Sequence, residues 1–184
     1  MNNMTEIYRY NFKVVLIGSP NVGKTSLVNK FVTNQFAKNY IATIGVNVMV
    51  KDMKKQLNNK NFHIQLSIWD VGGQEKFGKL RSMYYNGSKA ALVVYDVTDE
   101  KSFSNIPNLV KDYRETVQND KIPLILLGNK IDLIDEKKIV TTKGEELAVN
   151  IGAIGFYETS AKEGINVNNA FQKIANNLIE DVKK

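Results

Sequence analysis

Residues Gly18 to Ser26 read GSPNVGKTS, and Gly18 to Thr25 fit the pattern G-x-x-x-x-G-K-[ST]. An apolar run ends at Ile17 just before this stretch, and Leu27, Val28, Phe31 and Val32 follow it at helical spacing. A glycine-rich turn in that position opens a helix whose first amides lack intrahelical acceptors and whose dipole favours an anion. The candidate phosphate ligands are therefore Ser19, Asn21, Val22, Gly23, Lys24, Thr25 and Ser26. Lys24 would set a point charge on the terminal phosphates, and the Thr25 hydroxyl can ligate Mg²⁺. A plain βα turn could carry Gly-Lys-Thr without function, but the strand before it and the helix after it favour the phosphate reading. The loop alone does not choose between ATP and GTP.

The choice falls to Asn129 to Asp132, NKID, which follows the apolar run Ile122 to Leu127. Ligands bind at the C-terminal edge of open α/β sheets, where this stretch would lie. The Asp132 carboxylate can accept from guanine N1–H and from the 2-amino group. Adenine offers neither, and a charged group left unpaired in a buried site costs several kcal/mol. Asn129 can hold the base edge and the loop, and the stem of Lys130 can lie on the base plane. The later stretch ETSAK, Glu158 to Lys162, can present the Ala161 amide to guanine O6, with Ser160 and Lys162 beside it.

Two kinds of element must position these loops. The runs Phe12 to Ile17, Ala90 to Val97 and Ile122 to Leu127 read as strands buried on both faces, the mark of a parallel sheet with helices on either side. Ile64 to Trp69 alternates instead, with Ile64, Leu66 and Ile68 on one face and His63, Gln65, Ser67 and Trp69 on the other. It is expected to pair with Val46 to Gln56 through a turn near Asn58 and Asn59. From Val167 to Val182 an apolar stripe marks a helix with Asn166 as its N-cap, and Thr142 with Glu145 forms a capping-box pattern ahead of Leu147.

The chain has 184 residues, a length that fits one α/β domain spanning 1–184. No apolar run approaches the roughly 18 residues of a membrane span, and MNNMTEIYRY has no signal-peptide core, so a cytoplasmic location is expected. The sequence has no cysteine, which excludes disulfides, thiol catalysis, thiolate metal sites and thioether lipids within it. Asn2 stands where myristoylation needs glycine. The net charge is +6, but lysines are interspersed with acids, and a nucleic-acid partner is not expected. The only compact basic cluster is Lys51 to Lys60.

In order, GSPNVGKTS, TIGVNV, WDVGGQEKF, RSMYYNGSKAALVVYDVTDEKSF, GNKID and ETSAK resemble the Ras-like small GTPases, the Rab family most closely, from about Phe12 to Val182. The resemblance implies a P-loop G domain: a mostly parallel six-stranded sheet with one antiparallel edge strand and helices on both faces. It implies GTP and GDP as ligands with Mg²⁺, slow GTP hydrolysis, and exchange-factor, GAP and effector proteins as partners of a monomeric switch in membrane trafficking. By position, Thr43 resembles the threonine that ligates Mg²⁺ and senses the γ-phosphate. Asp70 resembles the acid that holds Mg²⁺, Gly73 the glycine whose amide meets the γ-phosphate, and Gln74 the glutamine that positions the attacking water. Phe36 stands where the family places a ring against guanine. Catalysis would rest on Gln74 and Lys24.

The departures also matter. Gly72 stands where Rab and Ras proteins usually have alanine, and WDVGGQ resembles Arf. The segment from Thr43 to Asp70 is longer than in typical Rabs, so its hairpin is expected to protrude. Val48 replaces the usual phenylalanine beside Trp69 and Tyr84, with which it would form the effector surface; Trp69 could instead be packed under a helix. His63, the only histidine, lies away from these motifs and is expected to be structural or solvent-exposed rather than catalytic. No arginine other than Arg81 follows the phosphate motifs closely, and Arg81 reads as structural. Without a finger, which is worth ~10³–10⁵ in rate, hydrolysis would be slow. Rab-like proteins normally end in a prenylated cysteine tail, whereas this sequence stops at Lys184, so attachment to membranes would need a tail beyond it or a partner. The rival readings are a GTP-binding module with little hydrolysis and a P-loop ATPase or nucleotide kinase; NKID argues against the second. Pro20 has no amide to lose from the cradle, and hydrolysis is expected to survive it.

Overall fold

The computed structural model describes residues 7–36, 43, 45–57, 60–72 and 83–182. The elements run β1 (Ile7–Ile17), α1 (Lys24–Thr33), β2 (Val46–Leu57), β3 (Lys60–Val71), β4 (Ala90–Asp96), α2 (Glu100–Ser104), α3 (Ile106–Val117), β5 (Leu124–Asn129), α4 (Thr141–Asn150), β6 (Gly155–Thr159) and α5 (Val167–Val182). The strands form one sheet in the order β2-β3-β1-β4-β5-β6. Every pairing is parallel except β2 with β3, so the antiparallel strand lies at an edge as expected. Chain direction across the sheet reverses at β1, which places the ligand crevice outside the C-terminal ends of β1, β4 and β5.

Each face of the sheet is covered. Alternate residues of β1, β4 and β5 (Val14, Leu16, Leu92, Val94, Ile125, Leu127) pack under α1 and α5. Their neighbours (Val15, Ile17, Ala91, Val93, Leu124, Leu126) pack under α3 and α4. This is why these strands carry unbroken apolar runs. β3 alternates because only one of its faces is deeply covered: Phe62, Ile64, Leu66 and Ile68 are buried and the residues between them are half-buried. The rings of Phe31 on α1 and Phe171 on α5 stack with centroids 4.1 Å apart and fasten the two helices together.

β1 begins at Ile7 rather than Phe12. Its first half pairs with β3 from Ile7↔Asn61 onward, whereas its pairing with β4 starts only at Val14. Tyr8, Tyr10 and Phe12 share a face and form an aromatic row with Phe62, at centroid separations of 5.5 Å for Tyr8–Phe62 and 5.8 Å for Tyr10–Phe12. The long β2–β3 hairpin therefore protrudes beyond β4, but it does not stand free. Lys55 Nζ donates to Asn176 Oδ1 on α5, and Lys51 Nζ donates to the Val32 carbonyl at 3.1 Å. The Lys51–Lys60 cluster is thus partly structural, and its remaining charge guards an exposed sheet edge against pairing with other chains. The expected turn at Asn58 and Asn59 lies outside the described residues. His63 Nε2 lies 3.1 Å from Asp52 Oδ1 on the neighbouring strand.

One helix start differs from the sequence expectation. α4 begins at Thr141 with Val140 at the N-cap and no side-chain cap bond, so Thr142 and Glu145 form no capping box. The helix starts two residues earlier because Thr141 is held by a tertiary bond, its Oγ1 donating to Glu158 Oε2 at 3.0 Å. Asn166 does precede α5: its carbonyl accepts from the Ala170 amide at 3.1 Å, and its side-chain amide donates to the Glu158 carbonyl at 2.8 Å.

Replacing Phe171 with alanine should cost about 3–5 kcal/mol, the usual price of a large aromatic lost from a core. Urea unfolding should show a lower midpoint at an unchanged m-value; an unchanged midpoint would mean that the Phe31–Phe171 stack does not hold α1 to α5.

Candidate functional site

β1, β4 and β5 end side by side, and one buried side chain at the end of β5 ties the loop after β1 to the end of β6 and the loop that follows it. Asn129, 1% exposed, ends β5. Its Nδ2 donates to the Val22 carbonyl in the loop after β1 at 2.9 Å. Its Oδ1 accepts from Thr159 Oγ1 at 3.2 Å and from the Ala161 amide at 3.3 Å, in the loop after β6. Gly23 is shaped by this contact: its φ is +95°, and a Cβ there would lie 2.3 Å from Asn129 Nδ2. Glycine alone satisfies both conditions.

The loop after β1 has the geometry of an anion nest. Among the described residues, no group accepts from the backbone amides of Asn21, Val22, Gly23, Thr25 or Ser26, which surround the start of α1. Asn21 has φ 65° and Gly23 φ 95°, the alternation that turns successive amides toward one point. Lys24 is 6% exposed, and its Nζ donates to the carbonyls of Gly18 at 2.8 Å and Ser19 at 2.9 Å, which folds the ammonium over the loop. Pro20 lies on the exposed crest. The Asn105 side-chain amide reaches Ser19 Oγ at 3.5 Å from the α2–α3 junction.

Beside the nest, three residues far apart in sequence converge. Thr25 Oγ1 donates to Asp70 Oδ2, Thr25 Oγ1 and Thr43 Oγ1 are 2.8 Å apart, and Thr43 Oγ1 is 3.4 Å from Asp70 Oδ2. Asp70 is 1% exposed, and its Oδ1 is buried with no hydrogen-bond partner among the described residues. Hard oxygens around an unsatisfied buried carboxylate suit Mg²⁺, which prefers a few carboxylate and hydroxyl oxygens together with phosphate. All three sequence candidates for the metal meet here.

The base-reading candidates meet on the other side of Asn129. Ser160 Oγ donates to Asp132 Oδ1 at 2.6 Å, and Lys162 Nζ lies 4.0 Å from Asp132 Oδ2. The Ala161 amide is directed at Asn129. Lys130 takes a left-handed φ of 72°, and its Nζ pairs with Asp96 Oδ2 at 2.6 Å. Phe36, past the end of α1, is 39% exposed. Gly73, Gln74 and Arg81 lie outside the described residues.

Several residues escaped the sequence reading. Asp96 ends β4, accepts from the Thr98 amide at 2.9 Å and anchors Lys130; the available signal was an acid ending a wholly apolar strand. Glu158 accepts from Lys137 Nζ at 2.7 Å as well as from Thr141, bracing the last loop against α4. Tyr95 lies under the site, its phenol pushed well above the usual pKa by burial first and by the charge of Glu158 second, and it therefore stays neutral.

The three residues expected at an effector surface, Val48, Trp69 and Tyr84, lie together. Val48 pairs directly with Trp69, whose ring centroid is 6.4 Å from that of Tyr84. Val48, Val50 and Met83 are 43%, 48% and 69% exposed. Trp69 is half-buried, and Lys13 Nζ lies 3.8 Å over its ring. Burial holds the Lys13 ammonium below the usual lysine pKa.

A mostly parallel sheet with this loop after its first strand defines a P-loop nucleotide-binding domain. The Ras family matches residues 13–180. Ras-related protein Rab-8A of Bos taurus is 40% identical over 175 residues, 95% of this chain and 82% of the relative. Ras-related protein Rab-8 of Diplobatis ommata is 39% identical over 181 residues, 98% of this chain and 83% of the relative. Ras-related protein Rab-8B of Homo sapiens is 38% identical over 181 residues, 98% of this chain and 84% of the relative. The chain belongs to the Ras family and is a Rab-related small GTPase. It binds GTP and GDP with Mg²⁺, and regulators and effectors are its general class of partner. Among the described residues, no helix is long and apolar enough to cross a membrane.

Replacing Asn129 with alanine strands the Val22 carbonyl and the Ala161 amide. Each buried group left unpaired costs about 1–3 kcal/mol. The variant should release GDP and GTP faster, both by a similar factor, when fluorescent nucleotide is chased from the protein. Release rates equal to wild type would show that the three loops are held by other means.

Proposed function

We propose that residues 1–184 form one G domain that binds Mg·GTP through the residues gathered above, hydrolyses it slowly and acts as a trafficking switch. The observation that carries this reading is the meeting of Thr25, Thr43 and Asp70 beside the nest at the start of α1. Ser19, Asn21, Val22, Gly23, Lys24, Thr25 and Ser26 hold the phosphates. Thr25, Thr43 and Asp70 are the residues that would hold Mg²⁺, which supplies charge neutralisation for the phosphates when bound. Asp132 accepts from the guanine edge, with Ser160 and Lys162 steadying its carboxylate, Ala161 and Asn129 closing the far side, and Lys130 and Phe36 flanking the base plane.

Hydrolysis is in-line attack of water on the γ-phosphoryl, with Gln74 positioning the water, Lys24 countering charge on the phosphates and the Gly73 amide meeting the γ-phosphate. Slow turnover is supported by the placement of the arginines. Among the described residues, Arg9 is at the end of β1 remote from the loop, and Arg114 is spent on the Ile151 carbonyl at 2.8 Å. A GAP would supply the missing charge. Val48, Trp69 and Tyr84 form the effector surface.

Asp132→Asn inverts the donor pattern at the base. It should weaken GTP binding by about 10²-fold, as expected for two lost charge-assisted hydrogen bonds, and improve binding of xanthosine triphosphate. Full retention of the GTP preference would refute the role of Asp132.

The exposed Pro20 crest keeps open a second reading, a GTP-binding module with little hydrolysis. Single-turnover hydrolysis by wild type, Pro20→Gly and Gln74→Leu separates the two. The switch reading expects slow but measurable turnover in wild type and its loss in Gln74→Leu. Much faster turnover in Pro20→Gly, with no effect of Gln74→Leu, would favour the module.

A further inference from the structure

The start of β1 and the far end of the β2–β3 hairpin meet at the end of the sheet remote from the nucleotide loops. Strand register there sets side chains of one face in rows that cross three strands. One row is Arg9 on β1, His63 on β3 and Lys54 on β2. The outermost row is Ile7, Asn61 and Gln56. Ile7, Arg9, Lys54 and Gln56 are exposed, and Asn61 and His63 are half-buried. These six residues form part of the wall of a cavity of about 510 Å³. Among the described residues, no carboxylate lines it.

Cationic side chains set side by side on neighbouring strands repel one another, so such a row costs stability unless an anion joins it. The adjoining row supplies one acid, and it is engaged at the centre. Asp52 Oδ1 lies 3.1 Å from His63 Nε2 and accepts from Gln65 Nε2 at 3.3 Å. Arg9 and Lys54, at the two ends of the row, make no hydrogen bond or ion pair among the described residues. Ile7 stands beside them with 55% of its surface exposed. We propose that this cavity docks an acidic, extended segment of a partner protein, in which two carboxylates flank one aliphatic side chain. Arg9 and Lys54 lie two strand spacings apart, about 10 Å, and an extended chain covers that distance in three residues at about 3.3 Å each. The carboxylates meet the two cations, and the aliphatic side chain rests on Ile7. The concave shape suits an inserted side chain, whereas a bilayer surface would meet only the rim. All six residues sit on paired strands, and Trp69 of the apolar patch is six residues further along β3 than His63, about 20 Å away. Docking here is therefore independent of the bound nucleotide.

The test is fluorescence anisotropy of the labelled peptide Gly-Glu-Leu-Ser-Glu-Gly, with a control peptide in which glutamine replaces both glutamates. The full chain is loaded with GDP or with a non-hydrolysable GTP analogue in Mg²⁺. The acidic peptide should bind saturably and equally in the two states. The double variant Arg9→Gln, Lys54→Gln should weaken binding about 10-fold, the size expected for two exposed ion pairs. Ile7→Ser should also weaken it, and both variants should release fluorescent GDP at the wild-type rate, which shows that they are folded. Absence of saturable binding, equal binding of the control peptide, full binding by the double variant, or preference for one nucleotide state would each overturn the proposal. Binding to phosphatidylserine vesicles that the double variant loses, with no binding of the peptide, would overturn it in favour of a membrane surface.

Discussion

The buried amide of Asn129 is the constraint on which the site depends. It is one planar group with a donor end and an acceptor end, enclosed at the C-terminal edge of the sheet. Its donor fixes Val22 and its acceptor fixes Thr159 and Ala161. The loop after β1 and the loop after β6 are therefore tied to the same side chain at the end of β5. Gly23 is glycine partly because that amide lies where its Cβ would be. The left-handed Lys130 comes next in the chain, and Asp96 on the adjacent strand draws its ammonium back across the site. A rigid sheet places the strand ends, and a single hydrogen-bonded side chain converts those ends into one pocket wall.

The metal cluster follows a different logic. Asp70 is delivered by β3 and Thr25 by α1, both packed on the same core. Thr43 is delivered by the segment ahead of β2, which meets the site through the Thr43 hydroxyl and through the Gly72 amide donating to the Gly45 carbonyl. Two of the three oxygens are thus carried by elements packed on the core, and the third by the segment ahead of β2.

The sequence made legible what depends on local pattern. Buried runs located β4, β5 and the second half of β1. Alternation located β3, and the position of NKID after a buried strand located the base loop. It was least legible where a residue is placed by a distant partner. Tyr8 and Tyr10 extend β1 because Phe62 on β3 stacks with them, and nothing in the run from Ile7 to Asn11 announces that neighbour. Thr142 and Glu145 match a capping box, yet Thr141 takes the helix start because Glu158 binds it from β6. Asp96 reads as an ordinary strand-end acid until Lys130 is seen against it. Gly72 departs from the family pattern in sequence, but its close approach to the Thr43 and Gly45 carbonyls is visible only in three dimensions. Thr43 is legible only through resemblance, since a lone threonine in a loop carries no periodic signal.

The central claim is that one pocket, assembled by Asn129, reads both guanine and metal-bound phosphates. Its most direct test is competition titration of the nucleotide-stripped protein with fluorescent GTP, run with Mg²⁺ and with EDTA, using GDP and ATP as competitors. The account predicts stoichiometric binding of one GTP, displacement by GDP but not by a large excess of ATP, and much weaker GTP binding once Mg²⁺ is removed. Equal displacement by ATP, or GTP binding indifferent to EDTA, would contradict it.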